Sequence, residues 1–350
     1  MKKFAALAVL AAASAGAYAQ SSVTLFGIID EAGRYVKNGD LKIKSLASGG
    51  INTSRLGVRG TEDLGGGLKA GFWLETGLNA DSGTQSDSTR FWNRRTTVSL
   101  LGNFGEVRLG RDFTPTYTGY SDYDVFGDNG VAASSKFEAP LGVLRDGATT
   151  LGTGQGTRAD NQVAYLTPGN LGGFYGRASV AAGEGTAGKK YVGGRAGWAA
   201  GPIDVSAAYG QYTVAPLNGE DKFKVTDVGA SYDFGVAKVL GYYTQSKFAA
   251  QKIASYSVGV LVPVGVGQIK AAYTHANQSG TTAAGVNVDG DDANQFALGY
   301  IYNFSKRTAV YTTAAYVKNK GNATFAVASA PAMTAGEKST GFEVGIRHAF

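Results

Sequence analysis

Apolar and polar residues alternate along much of this chain, in segments of roughly ten residues. The alternation is clear in residues 55–59, 68–75, 97–100 and 342–350, where aliphatic or aromatic side chains occupy every second position. A period of two places successive side chains on opposite faces of a β-strand. About ten residues is also the length with which a tilted strand crosses the hydrocarbon core of a membrane. The pattern therefore predicts strands with one apolar face and one polar face.

The connections between these segments alternate in length. Short glycine-rich turns lie near residues 61–67, 102–105, 167–173, 200–202, 234–235, 263–267 and 303–307. Longer polar stretches lie near residues 37–50, 79–90, 112–157, 183–189, 214–223, 248–252, 277–293 and 318–339. Seven turns and eight loops join about sixteen antiparallel strands, and an even number places both termini on the short-turn side.

The number of strands decides between a soluble and a membrane fold. A sheet in lipid can leave no backbone N–H or C=O group unpaired, so it must close on itself. Sixteen strands enclose a lumen wide enough for water, whereas eight fill with side chains. A soluble β-sandwich shares the alternation but rarely needs sixteen strands with alternating connection lengths. We therefore predict an all-β fold, a transmembrane 16-stranded antiparallel β-barrel.

The first nineteen residues have the features of a secretory signal peptide. Lys2 and Lys3 precede an apolar run over residues 4–13, and small residues flank Tyr18 before a polar segment that begins at Gln20. The apolar run is too short for a membrane-spanning helix. We expect cleavage before Gln20, leaving residues 20–350 as a single barrel domain in the outer membrane.

Composition changes this picture little but excludes several functions. Without the signal's two lysines, 31 basic residues face 27 acidic ones, and the basic residues are scattered, so we expect no nucleic-acid partner. The absence of cysteine excludes disulfides and thiol nucleophiles. The chain is rich in Gly (52), Tyr (19) and Phe (17), as strands require. Aromatic residues near strand ends are candidates for the two interfacial girdles, among them Tyr165, Tyr191, Trp198, Tyr209, Tyr212, Tyr232, Tyr242, Tyr243, Tyr300, Tyr302 and Tyr316.

Features that would indicate an enzyme or a cofactor are weak. The two histidines, His275 and His348, are far apart and lack metal-ligand spacing. The glycine-rich segment 152–156 lacks the lysine of a phosphate loop. Residues 289–292 (Asp-Gly-Asp-Asp) are either a divalent-cation loop or a plain solvated one. We expect no cofactor, no metal and no catalytic activity.

Four segments carry a resemblance to a known family. They are Ser-Val-Thr-Leu-Phe-Gly at 22–27, residues 54–68 from Ser-Arg-Leu-Gly to Gly-Gly-Gly-Leu, Gly-Glu-Val-Arg-Leu-Gly-Arg at 105–111, and the closing Gly-Ile-Arg-His-Ala-Phe at 345–350. The chain resembles the general trimeric porins of betaproteobacteria over nearly its whole length. The resemblance implies a homotrimer embedded in outer-membrane lipid and lipopolysaccharide. It also implies an inward-folded third extracellular loop, here residues 112–157, that narrows the pore, and a terminal Phe350 that the outer-membrane assembly machinery recognises.

Strand parity and the resemblance together predict the pore-lining charges. Arg55 and Arg59 oppose Leu56 and Val58, so both should point into the lumen, and Arg95 shares a face with Thr97 and Ser99. The resemblance implies an arginine ladder at the constriction and acidic partners there. Strict alternation would place Arg94 on the lipid face, so either the strand begins after Arg94 or Arg95 takes its role. The predicted constriction set is Arg55, Arg59, Arg94, Arg95, Arg158, Glu75 and Asp124.

These residues favour a passive channel for small anions and hydrophilic solutes. Several arginines with fewer acids should favour anions over cations, unless neighbouring carboxylates neutralise them and leave a weakly selective pore. A channel specific for a sugar or an organic acid is the alternative within this class. An outer-membrane barrel hydrolase is a third hypothesis, but it would need an activated nucleophile that the sequence does not indicate.

Overall fold

The computed structural model describes residues 22–137, 156–217, 219–282, 284–329 and 331–350. Almost all of them lie in one antiparallel sheet that closes into a barrel. The sixteen strands are β1 (Ser22–Asn38), β2 (Leu41–Ser48, resuming as Arg55–Gly65), β3 (Leu68–Asn79), β4 (Arg95–Gly102), β5 (Gly105–Phe113), β6 (Arg158–Leu166), β7 (Phe174–Ala181), β8 (Lys190–Ala200), β9 (Ile203–Leu217), β10 (Glu220–Asp233), β11 (Lys238–Phe248), β12 (Gln251–Val264), β13 (Gly267–Ser279), β14 (Ala293–Asn303), β15 (Thr308–Asn319) and β16 (Lys338–Ala349). A further two-residue strand, Thr84–Gln85, pairs with the end of β3.

The barrel closes where the last strand meets the first. β16 pairs with β1 from Ile28 opposite Ala349 to Asn38 opposite Ser339. Phe350 continues the seam, because its N–H donates to the carbonyl of Gly27 at 3.0 Å and its carbonyl accepts from Gly27 N–H at 3.1 Å. The Phe350 ring covers Gly27, where a Cβ would lie 2.9 Å or less from two ring atoms. The prediction of a closed 16-stranded antiparallel barrel is confirmed.

The second strand is interrupted, and a buried carboxylate supports the interruption. Residues 49–54 leave the sheet between the two parts of β2. The Asp30 side chain on β1 accepts the backbone N–H groups of Gly50, Ile51 and Asn52 at 3.2, 3.0 and 2.6 Å. Asp30 thereby replaces the sheet hydrogen bonds that this segment would otherwise lack.

Three of the predicted longer loops are turns of two residues, and the third of them, predicted near 248–252, consists of Ala249 and Ala250. The first connection, predicted near 37–50, is a turn of two residues, Gly39 and Asp40, because both flanking strands extend beyond the predicted ends. β9 likewise extends to Leu217 and β10 begins at Glu220, within the predicted loop near 214–223. Polar residues continued the strand pattern in both places, and the sequence prediction took them for loop.

The two faces of the barrel differ as predicted. Outward positions carry exposed aliphatic side chains such as Val23, Leu25, Val258 and Leu298, while neighbouring inward positions carry buried polar groups such as Ser206. Five of the predicted girdle tyrosines are 40 to 48% exposed, namely Tyr165, Tyr209, Tyr232, Tyr243 and Tyr302. Three others were assigned to the wrong face: Tyr191, Tyr212 and Tyr242 are at most 4% exposed and pack inside the barrel.

The long connection after β5 contains an α-helix. Helix α1 (Pro115–Ser121) starts at Thr114, whose hydroxyl accepts the Tyr117 N–H at 3.2 Å. A capping threonine followed by proline is a strong helix-start signal. Two 3₁₀ turns follow, Gly130–Ala132 and Ser135–Phe137. Among the described residues, no helix is long and apolar enough to cross a membrane.

Candidate pore constriction

The first part of the long loop, residues 114–137, packs against inward-facing side chains of the barrel wall. The Tyr123 hydroxyl donates to Asp204 at 2.9 Å, and it lies 3.1 Å from the hydroxyls of both Ser206 and Tyr175. The Tyr123 ring also lies on Gly229 of β10, where any side chain would collide with it. These partners alternate with outward positions such as Val205 and Val228, so the contacts are inside the barrel.

The far end of this segment is held by the opposite wall. The backbone N–H of Val131 donates to the Glu343 carboxylate of β16 at 3.1 Å, and Glu343 also pairs with Arg34 of β1 at 2.8 Å. Gly130 N–H donates to the carbonyl of Gly49 at 3.1 Å, in the interruption of β2. This part of the loop is therefore bonded directly to the last strand and to the interruption of the second, and through Glu343 to Arg34 of the first.

A second attachment joins the loop to β14. Lys136 donates from Nζ to Gln295 at 2.7 Å, and the Gln295 amide donates to the Ala132 carbonyl at 3.0 Å. Burial lowers the pKa of Lys136 to about 7, and burial raises the pKa of the nearby Asp128 to about 6. Burial thus disfavours the charged forms of Lys136 and Asp128. The attachment is made by the two hydrogen bonds of Gln295, one accepted from Lys136 and one donated to Ala132.

One carboxylate gathers two of the predicted arginines. Glu75 on β3 accepts from Arg94 Nε at 2.5 Å and lies 3.5 Å from Arg55 Nη1. The Trp73 indole N–H also donates to Glu75, at 3.0 Å. β4 begins at Arg95, so Arg94 precedes the strand and its side chain turns to Glu75 inside the barrel.

Arg158 lies beside this carboxylate without binding it. Its guanidinium stacks on the Phe113 ring, 4.1 Å from the ring centroid, and it is within electrostatic range of Arg94 and Glu75. Its Nε has no hydrogen-bond acceptor among the described residues. We call Arg55, Arg94, Arg158 and Glu75 the Glu75 group.

Trp73 is a pore-lining residue that the sequence analysis missed. Arg59 and Arg95 both approach its ring, with guanidinium carbons 4.9 and 4.5 Å from the centroid. Arg59 also lies 5.3 Å from the centroid of Phe26. Trp73 has the same strand parity as Glu75, and this parity was the signal that could have revealed it.

A second cluster of charges was also missed. The Arg108 guanidinium binds Glu106 at 2.7 and 2.8 Å and Asp112 at 2.5 Å. Arg177 donates to Asp112 at 3.2 Å, and Arg95 lies 4.0 Å from it. We call these five residues the Asp112 group. The alternation of Glu106 and Arg108 in the quoted segment 105–111 was a usable signal.

The structure places Asp124 apart from both groups. Its carboxylate accepts the backbone N–H groups of Phe126 and Asp128, at 2.9 and 3.0 Å, and the Ser134 hydroxyl at 2.7 Å. These partners belong to the same loop. Asp124 therefore stabilises the loop's own turn, whereas Glu75 contacts the arginines directly.

The acidic side chains of residues 289–292, for which a divalent-cation loop and a plain solvated loop were the alternatives, form local contacts. Asp291 accepts the Asn322 N–H at 2.6 Å, Asp289 accepts the Gly280 N–H at 2.7 Å, and Asp292 pairs with Lys320 at 3.7 Å. Within the described ranges, no three or more acidic or histidine side chains come together as a metal site.

A closed sixteen-stranded barrel, apolar outside and charged inside, with a loop packed against its inner wall, defines a membrane pore. Comparison with known proteins identifies its kind. The family model for Gram-negative porins matches residues 6–322, so the chain belongs to that family. The chain is an outer-membrane channel protein and not an enzyme, and the predicted resemblance, class and location are confirmed.

The similarity extends over the whole chain. It is 43% identical to the outer membrane porin protein 32 of Delftia acidovorans, covering 100% of this chain and 99% of that protein. It is 29% identical to an outer membrane porin protein of Bordetella pertussis, with both chains fully covered. The solved structure of an anion-selective porin from Comamonas acidovorans is 41% identical, with a TM-score of 0.81 over 94% of this chain and 100% of that one.

Proposed function

We propose that the chain is a general diffusion porin whose Glu75 group gives the pore a preference for anions. The observation that carries this proposal is that three arginines surround one carboxylate, and one of them, Arg158, is stacked on a ring and forms no ion pair with any acidic group of the described residues. Similarity to a porin described as anion-selective supports it. In this proposal the loop 112–157 narrows the lumen next to the Glu75 group. Residues 138–155 of that loop lie outside the described residues.

Arginine suits this role for a physical reason. Its guanidinium stays charged at any relevant pH and stacks on aromatic faces, as Arg158 does on Phe113. At an effective dielectric constant near 20, an anion about 5 Å from one such charge gains roughly 3 kcal/mol before its desolvation is counted. A cation meets an equal repulsion, which the single carboxylate offsets in part.

The remaining predicted residues have supporting roles in this proposal. Arg59 and Arg95, held on Trp73, extend the positive wall along the lumen. Asp124 acts through the shape of the loop, because its carboxylate is bonded within it.

Single-channel recording in a planar bilayer with a salt gradient tests the proposal. We expect water-filled conductance with a reversal potential of the sign that anion permeation gives. A reversal potential of the cation sign would contradict the anion preference. Saturable block by one solute would indicate instead a solute-specific channel.

We also propose the assembly that the resemblance implies. The chain would be exported with residues 1–19 removed before Gln20, all of which lie outside the described residues. Phe350 would be recognised by the outer-membrane assembly machinery, and the folded chain would form a homotrimer in contact with lipid and lipopolysaccharide. Conductance steps grouped in threes, and a trimer mass by light scattering in detergent, are the expected results; a monomer mass would contradict the trimer.

A further inference from the structure

Outward-facing lysines lie directly opposite one another near the long-loop end of the barrel. The register pairs Lys318 of β15 with Lys338 of β16, and Lys247 of β11 with Lys252 of β12. Opposite residues in an antiparallel sheet have side chains about 5 Å apart at Cβ, and like charges in that position are destabilising. Such pairs point to a negatively charged group from outside the chain.

The pair Lys318 and Lys338 stands at the edge of the apolar band. Both side chains are exposed. Lys318 lies between two buried, inward-facing neighbours and Lys338 lies beside one, so both lysines point outward. On that face Lys318 follows Tyr316, and Lys338 precedes Thr340 and Phe342. Because the long loops of such barrels are extracellular, the pair lies at the outer-leaflet boundary.

Among the described residues, this pair of lysines takes part in no ion pair. In the part of the chain that the structure describes, no carboxylate oxygen lies within 4.0 Å of the Lys318 or Lys338 ammonium, whereas nearby Lys320 pairs with Asp292 at 3.7 Å. Two further outward lysines, Lys37 and Lys42, face each other on β1 and β2, and Lys37 is opposite Thr340. Four lysines thus lie around these strand ends, against two acidic residues of the same segments, Asp40 and Glu337.

An apolar groove of about 680 Å³ begins beside the pair and crosses the outer surface toward β11. Its lining includes Thr340 and Tyr316, which are the next outward residues below the two lysines, and then Ala314, Leu298, Tyr273 and Val258. A hydrocarbon chain fits such a surface, and a soluble anion does not need it.

We propose that Lys318 and Lys338, with this groove, bind a phosphorylated and acylated lipid of the outer leaflet, its phosphate between the two ammonium groups and an acyl chain in the groove. The inference rests on the lipid partner proposed above and names its site. Two exposed ammonium groups beside an apolar groove match a phosphate joined to a hydrocarbon chain, so lipid is the occupant that the charges and the groove favour. Lysines near a membrane surface attract anionic headgroups.

The test uses the full chain folded in detergent and bisphosphorylated lipid A as the probe, with bound lipid counted by native mass spectrometry. Each lysine contributes about fivefold to such binding, so K318Q/K338Q should weaken it by roughly 30-fold. The control K306Q removes a charge from an exposed short turn at the other end of the barrel and should leave binding unchanged. Equal binding by K318Q/K338Q and the unaltered chain would overturn the proposal.

Two further experiments separate the contribution of the lipid headgroup from that of the acyl chain. Ala314→Phe fills the groove and should weaken binding, while Ala230→Phe, on the exposed outer face of β10 and outside the groove, should not. Lipid A without phosphate should bind the unaltered chain and K318Q/K338Q alike and weakly; tight binding of it would overturn the phosphate assignment. Conductance recorded on the same samples keeps the pore separate, because a variant that conducts normally leaves the proposed channel function intact whatever its lipid binding.

Discussion

The Glu75 group and the Asp112 group are built from the same residue types on neighbouring strands, yet they differ in balance. In the Glu75 group three arginines face one carboxylate, and Arg158 lies on Phe113 with no ion pair to the part of the chain that the structure describes. In the Asp112 group three arginines face two carboxylates, and each arginine has an acidic group within 4.0 Å. The comparison teaches that pairing across strands, and not the number of arginines, decides which charges remain for a passing ion.

The difference has a cause in the backbone. The register of β5 with β6 shifts between Gly110 and Asp112, which marks a bulge. A bulge lets two successive residues turn toward the same side. Both Arg111 and Asp112 are accordingly buried, and Asp112 reaches Arg108 and Arg177 together.

The largest effect is expected in the Asp112 group, where each arginine has an acidic partner. Asp112→Asn would leave Arg108 and Arg177 without a shared partner in a buried site. Removing one partner of a buried ion pair costs about 3 kcal/mol. We expect the free energy of unfolding, measured by urea titration in detergent, to fall by about that amount.

Asp40→Asn is the matched control for this change. Asp40 lies exposed in the first turn, and a surface substitution of this kind should alter the free energy of unfolding by less than about 0.5 kcal/mol. Equal losses in the two variants would show that the Asp112 group is not a closed network.

The second effect concerns selectivity. R55Q/R94Q/R158Q removes all the positive charge of the Glu75 group, and the anion-to-cation permeability ratio should fall by on the order of tenfold, the equivalent of about 1.4 kcal/mol. Reversal potentials in a salt gradient measure it. K306Q/R307Q removes charge from an exposed turn and should leave the ratio unchanged. A triple variant with unaltered selectivity would remove the Glu75 group from the constriction.

Removing the carboxylate of the same group should act in the opposite direction. Glu75→Gln frees Arg55 and Arg94 from their ion pairs, so the anion-to-cation permeability ratio should rise by about threefold. Glu62→Gln, an exposed position near the turn after β2, is the control and should not change it. A lower ratio in Glu75→Gln would mean that the carboxylate's main task is to hold the arginines in place.

The smallest effect is expected at Arg59, which belongs to neither group. Arg59 is exposed and its contacts are with the rings of Trp73 and Phe26. An exposed cation–π contact is worth about 0.5 kcal/mol, so Arg59→Gln should lower the free energy of unfolding by about that much. A double-mutant cycle with Trp73→Leu should recover a coupling of similar size. Purely additive losses would show that the stacking contributes nothing.

Periodicity was sufficient to predict the fold, because strands with one side in lipid and one in water must alternate strictly. Strand number and the placement of turns followed from the same signal. The prediction erred where polar residues continue a strand, at Gly39–Asp40 and before Glu220, since exposed strand ends beyond the membrane need no apolar face. It also erred for Tyr191, Tyr212 and Tyr242, because parity was not applied to aromatic residues that the loop covers inside the barrel.

The site was predictable only in part. Parity indicated that Arg55 and Arg95 face inward, and the resemblance indicated Arg158 and Glu75. The Asp112 group depends on a bulge, and the contacts of Asp124 depend on the turn of a loop with no periodicity. Alternation could have indicated Glu106 and Arg108, but it reveals neither the bulge that places Asp112 between them and Arg177 nor the turn that surrounds Asp124.

The attachment of the long loop at Val131 is made by residues at opposite ends of the chain. Arg34 of β1 and Glu343 of β16 face each other across the closing seam, and together they receive Val131 of the loop. This attachment cannot exist until the final strand has docked. A barrel whose ends have not met therefore lacks the complete attachment, so closure of the seam and fixing of the loop depend on each other.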